Sequence, residues 1–295
     1  MIQNKNIYAW GLLILLSLIW GSSPILIKKS LVSLGPFEIG ALRLSFAAIV
    51  LIPFLSKNFK EVKRKDIPVL FISGIVGNVI PYFLYPIAQT NIDSGTSGVL
   101  TSLTPFFALL IGVIFYKLKA TKNNIIGLTI GFSGTAALIL FSDSTSNSEA
   151  NLYGLFVVLA TVLYGINLNL VKYHLNHLKP VTITSFSIVL ILPITLYVLF
   201  FSTPFIEHIQ SFSDYKNEFI YVFILGILST SVATLIFYNL IKIKDTVFAS
   251  TVTYLMPIVA VVIGLLDGEV VNFYQLSGMG LIICGVYINS RKNNY

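Results

Sequence analysis

The stretch Phe71-Ile72-Ser73-Gly74-Ile75 returns 152 residues later as Phe223-Ile224-Leu225-Gly226-Ile227. The same displacement, without a gap, carries Asp93 to Asp245, Thr101 to Thr253, Leu103 to Leu255, Pro105 to Pro257, Ala108 to Ala260, Ile111 to Ile263 and Gly112 to Gly264. Chance readily pairs leucines and isoleucines in apolar sequence; it does not hold aspartate, proline and glycine in register. Upstream, a displacement of 144 matches Gly21 to Gly165, Lys28 to Lys172, Leu31 to Leu175 and Pro36 to Pro180. Downstream, a displacement of 151 matches Gly127 and Gly134 to Gly278 and Gly285. The chain is read as two copies of one unit, 1–144 and 145–295.

Composition says where such a unit lives. Of 295 residues, 56% are hydrophobic and only 11% charged, against roughly a quarter charged in soluble domains. Lipid must solvate most of that apolar surface. Ten runs approach spanning length: Tyr8–Ile27, Phe37–Leu55, Ile67–Thr90, Gly95–Tyr116, Ile125–Phe141, Leu152–Tyr173, Ile183–Phe201, Phe219–Ile241, Val247–Leu266 and Phe273–Ile288. The short alternating segments of a membrane β-barrel are absent from the sequence. Five runs per copy is an odd number, so the second copy enters the bilayer from the opposite side. The expected fold is an all-α membrane protein of ten transmembrane helices in two inverted five-helix repeats, an architecture typical of secondary transporters.

The net charge of +7 does not point to nucleic acid, because the basic residues sit between apolar runs rather than on a polar domain. Fifteen of the nineteen fall on the side of the N-terminus, Lys28, Lys29 and Lys216 on the other, and Arg43 inside the second run. This bias predicts an inner (plasma) membrane protein with both termini cytoplasmic. The single cysteine, Cys284, permits no disulfide within the chain and is read as a packing residue.

Polar residues inside the runs are the candidates for function. Gly74, Asn78, Tyr82, Tyr85 and Gln89 recur at helical spacing on one face of the third run. Asn78 lies near its middle, and two readings fit it: a substrate contact, or an interhelical hydrogen bond. Thr101 and Thr253 are repeat mates near the membrane centre. Trp20 and Tyr164 are also mates, with Asn167 one turn below Tyr164, and a ring beside an amide suits a flat substrate. The substrate-binding set is thus Trp20, Asn78, Tyr82, Thr101, Tyr164, Asn167 and Thr253, with Pro105 and Pro257 as matched bends or hinges. Phe106 and Phe107 are expected to face lipid. Arg43 sits about 9 Å below the end of its run at about 1.5 Å per residue; it could hold a substrate carboxylate, reach outward or pair with helix ends, and the structural role with an outward reach is the one expected. All twelve acids lie in loops or near helix ends, so no buried carboxylate is expected to carry a proton; Glu38 is the exception to watch, beside Lys28 or Lys29. His174, His177 and His208 are peripheral, and no metal, nucleophile or phosphate-loop motif is visible. No metal, cofactor or enzymatic activity is expected.

These residues resemble those of the drug/metabolite transporter superfamily, in its EamA-type branch. The resemblance is carried by Trp20-Gly21-Ser22-Ser23 with Lys28 downstream, Pro36, Arg43, the stretch Ser97–Gly112 around Pro105, and Gly268-Glu269 followed by the glycines of the last run. It covers essentially the whole chain and implies ten helices in two repeats. It also implies export or facilitated movement of amino acids, other metabolites or drug-like compounds. One departure is that Tyr116-Lys117 stands where the family often has Gly-Glu after the fourth helix, which favours a structural or orienting role for Glu269. The expected function is a secondary transporter of a small metabolite, an amino acid or related compound, working by alternating access, with export implied by the resemblance alone. The alternatives are a membrane-embedded enzyme, a receptor, or a carrier of nucleotide-sugars or drugs. Partners are the substrate and the lipid bilayer.

Overall fold

The fold is that of a computed structural model, which describes residues 2–118, 120–140, 150–243 and 252–290. Asp245 lies outside the described residues, as do the side chains of Tyr238, Thr253 and Tyr254. No strand occurs among the described residues. Among the described residues seven helices are long and apolar enough to cross a membrane: α1 (Ile7–Ser30), α2 (Pro36–Glu61), α3 (Arg64–Gln89), α4 (Ser94–Tyr116), α6 (Gly154–His174), α7 (Pro180–Phe201) and α8 (Phe212–Phe237). Between and after them lie α5 (Lys122–Leu140), α9 (Val252–Leu266) and α10 (Phe273–Ser290). Shorter apolar stretches, Leu255–Leu266 and Leu276–Gly285, fall within the last two.

The packing obeys the sequence repeat. A side chain at Gly74 of α3 would strike the Ser187 carbonyl of α7, and one at Gly226 of α8 would strike the Arg43 carbonyl of α2. Gly74 and Gly226 are mates at a displacement of 152, Arg43 and Ser187 at 144. Likewise Gly134 of α5 closes on Gly278 of α10, while Gly285 closes on Gly127. Removing the Cβ lets these helices approach backbone to backbone, where dispersion rather than water drives association. The buried core repeats in the same way. Ala9, Leu13 and Leu16 of α1 pack with Ala233, Leu240 and Val252, and Val157 and Ala160 of α6 pack with Ala88, Leu100, Leu103 and Phe106.

Both copies carry the same irregularity. Residues Ile75–Val79 in α3 and Leu225–Val232 in α8 wind as π-helix, and the displacement of 152 superposes them. A π turn inserts one residue, so it re-aims the side chains beyond it and recurs at functional sites.

Three expectations change. The segment between Ser202 and Glu218, which the ten apolar runs leave as a connection between Ile183–Phe201 and Phe219–Ile241, contains helix Phe205–Gln210, and α8 already begins at Phe212. Hydropathy marks only the lipid-immersed part of a helix, and this one starts in its polar collar. Phe106 and Phe107 are buried rather than facing lipid, because both rings pack on Phe132 of α5. The matched prolines behave differently. The α4 span breaks at Ser102 and Leu103 just before Pro105, whereas Pro257 lies within an unbroken helix. In α4 the Thr104 hydroxyl takes the Thr101 carbonyl that Pro105 leaves without a donor, and Ser102 takes that of Val99. Their mates in α9 are Met256 and Tyr254, and Met256 cannot donate.

Candidate functional site

A cavity of about 290 Å³ lies at the centre of the bundle. Its wall is drawn from α1, α2, α3, α4, α6, α7, α8 and α9, so both copies contribute, and α5 and α10 do not. Those two helices pack on each other through their glycines.

Trp20, Asn78, Tyr82, Thr101, Tyr164 and Asn167 all line this cavity, and so do Pro105 and Pro257. The Thr253 side chain lies outside the described residues. Their bonding differs. Trp20 donates its indole N–H to the Ser229 carbonyl at 3.0 Å, a partner inside the α8 π segment. Thr101 pairs its hydroxyl with that of Tyr85 at 2.8 Å and also donates to the Ser97 carbonyl. Tyr85 and Tyr164 stack at 6.2 Å between centroids. Asn167 accepts a bond from the Ser73 hydroxyl at 2.6 Å, so it ties α6 to α3. Asn78 has no hydrogen-bond partner among the described residues. Of its two readings, the interhelical bond is therefore not made, and the amide faces the cavity.

The site also holds a residue that the sequence led us to expect pointing elsewhere. Arg43 does not reach outward. Its Nε donates to the Thr230 hydroxyl at 2.9 Å, and its guanidinium lies 4.0 Å from the Tyr82 ring centroid. The partners explain the inward turn: the π segment of α8 presents Thr230 toward α2, and an aromatic face attracts a guanidinium. Ser187, the mate of Arg43, lines the cavity on the other side. The one signal in the sequence for Arg43 is its charge at membrane depth.

Each end of the bundle is bridged between the copies by ion pairs. At one end Lys28 reaches Glu269 at 2.9 Å and Asp267 at 3.3 Å, and Lys29 pairs with Asp267. Glu269 also accepts bonds from the Ser94 N–H and hydroxyl and from the Gly95 N–H, so it caps the N-terminus of α4, where a carboxylate is favoured. Burial pushes the Glu269 carboxyl up, but its bonds to Lys28, Ser94 and Gly95 outweigh burial and leave it below the ordinary range. The Lys29 bond, opposed by slight burial and helped by Lys28, likewise holds Asp267 low. Glu38 is fully buried and pairs with His208 at 3.0 Å, not with the nearby lysines. His208 is brought there by the short helix Phe205–Gln210, which hydropathy missed. At the opposite end Asp66 meets His177 at 3.2 Å, and Glu61 binds Lys179 and Thr182.

The departure noted after α4 has a structural image. Lys117 adopts the left-handed backbone, φ 57°, one residue beyond the place of Tyr116, whose mate Gly268 adopts φ 89°. Where Glu269 covers Gly264, Leu118 covers Gly112. The ionic clasp therefore has an aliphatic counterpart.

The sequence profile of the EamA-like transporter family matches residues 8–140 and again residues 151–291. An uncharacterized transporter of Archaeoglobus fulgidus is 30% identical over 286 residues, covering 96% of this chain and 99% of its own length. The uncharacterized inner membrane transporter YedA of Escherichia coli K12 is 23% identical, with 95% of this chain and 89% of its own covered. A solved crystal structure of a protein superposes with a TM-score of 0.62 over 95% of this chain and 96% of that one, at 16% identity, which is a likeness of fold.

Proposed function

The chain belongs to the EamA-like transporter family, and from that premise we propose that this membrane transporter is a secondary carrier of a small metabolite, an amino acid or related compound, working by alternating access. The carrying observation is the cavity itself, walled by eight helices from both copies and clasped by cross-copy ion pairs at each end. Its volume is near the lower end of the range for small-ligand sites, about 300–1,000 Å³. In this reading the units 1–144 and 145–295 rock about the cavity, α5 and α10 act as the pair that holds them together, and Trp20, Asn78, Tyr82, Thr101, Tyr164, Asn167 and Thr253 contact the substrate. Export is the working direction, from the inner membrane of a cell with both termini in the cytoplasm.

The test is flux of a labelled panel, with amino acids, hydroxy acids, a nucleotide-sugar and a cationic drug, into proteoliposomes. Saturable counterflow of one small metabolite class is expected. Full activity toward the nucleotide-sugar or the drug alone would replace the substrate class, and specific binding without any flux would make the protein a receptor.

A further inference from the structure

We propose that Arg43 is the anion-binding centre of the cavity and that the transported molecule docks on it through a carboxylate. The inference rests on the reading of the cavity as the transport site and names the group that the site recognises.

Among the described residues Arg43 is the one charged side chain in the cavity wall; the others are aromatic, aliphatic, hydroxyl and amide. It is 6% exposed, and no carboxylate among the described residues pairs with it. Five acids among the described residues are engaged elsewhere: Glu38 with His208, Glu61 with Lys179, Asp66 with His177, and Asp267 and Glu269 with the lysines of α1. A guanidinium held at membrane depth without a counter-charge is expensive. An incoming anion relieves that cost, so the site is a sink for negative charge.

The geometry suits a carboxylate in particular. The Nε bond to Thr230 fixes one edge of the guanidinium, and the Tyr82 ring fixes its plane. The two terminal nitrogens have no protein partner among the described residues. They form the planar fork that receives a carboxylate through two parallel bonds. The fork is held in place before the ligand arrives, so little ordering entropy is lost on binding. Tyr82, Tyr85, Tyr164 and Trp20 supply flat apolar surface for the body of the ligand. Asn78 is the repeat mate of Thr230: the threonine is occupied by Arg43, while the amide is open to a second polar group of the ligand.

The experiment is thermal stabilisation of the purified protein by matched probes, followed by flux of those that bind. The probes are phenylacetate, phenylacetamide, phenylalanine and phenylalaninamide. Both carboxylates are expected to raise the melting temperature and neither amide is. A response to phenylacetate stronger than to phenylalanine assigns an anionic substrate, and the reverse a zwitterionic one; either supports the proposal. Arg43→Gln should weaken carboxylate binding about 10- to 100-fold, the worth of hydrogen bonds to a charged group. Arg43→Lys keeps the charge, loses the fork and should retain an intermediate affinity. The wild-type comparison of acid with amide stands even if Arg43→Gln fails to fold. Equal stabilisation by acid and amide, no response to either carboxylate, or a folded Arg43→Gln that binds phenylacetate like wild type would overturn it. Carboxylate binding without flux would support this proposal while removing the transport reading it was built on.

Discussion

Two asparagines show how differently one residue type is used. Asn167 is bonded to Ser73, and Gly77 lies so close that a side chain there would strike the Asn167 amide. Asn78 lines the same cavity with no side-chain partner among the described residues. Replacing Asn167 by alanine leaves the Ser73 hydroxyl without its acceptor and opens a gap beside Gly77, so Asn167→Ala should cost on the order of 1–3 kcal/mol of stability. Asn78→Ala removes nothing that holds the fold and should leave the melting temperature within about 1 °C. Its effect should fall on flux, at about tenfold if the amide contacts substrate. Melting temperature and flux per inserted molecule, measured on both variants, separate the two roles. Equal loss of stability in both would assign Asn78 to packing.

The π segments govern where the site residues point. In α8 the segment turns the Ser229 carbonyl toward Trp20 and the Thr230 hydroxyl toward Arg43, while Ser231 donates to the Ala47 carbonyl. Deleting Leu228 should remove the extra residue and restore ordinary α winding. The flanking parts of α8 would keep their relative azimuth, while the Ser229 carbonyl and the Thr230 hydroxyl inside the segment would lose their aim at Trp20 and Arg43. Helix content by far-UV circular dichroism should stay unchanged while flux falls about tenfold or more; undiminished flux would show that the bulge has no part in the site. The same segments explain what the sequence could and could not reveal. The repeat, the runs and the mates Trp20 and Tyr164 were legible, because glycine, proline and hydropathy record depth and register. Azimuth was not. A π turn has no compositional signature, so the inward aim of Arg43 stayed hidden, and hydropathy alone favoured a reach to the surface. Nor could spacing reveal that Glu269 caps a helix start at Ser94, 175 residues earlier.

At the scale of the molecule, α1 to α4 and α6 to α9 enclose the cavity, and α5 and α10 stand outside it. If the copies are inverted as the basic bias implies, the link after α2 and the link before α8 face opposite compartments. In a Cys284→Ser background, a membrane-impermeant maleimide applied to whole cells should label Lys216→Cys and leave Lys57→Cys unlabelled until the membrane is permeabilised. The opposite pattern would reverse the orientation, and equal labelling would end the inverted arrangement. Gly264 rests against the Glu269 carboxylate and its mate Gly112 against Leu118, so under the proposed alternating access the two mouths would open at different cost. Such a difference changes how long an uncoupled carrier waits in each state, and with it the concentration that half-saturates each face. It cannot act as a ratchet. Microscopic reversibility makes the maximal rates shift in compensation, because a ligand moves a two-state equilibrium only by its own differential affinity. Net flow then follows the gradient of the cargo. If the proposed carrier is uncoupled, a cell that overproduces the cargo would find an outlet in this protein, and a cell that lacks it would find an inlet.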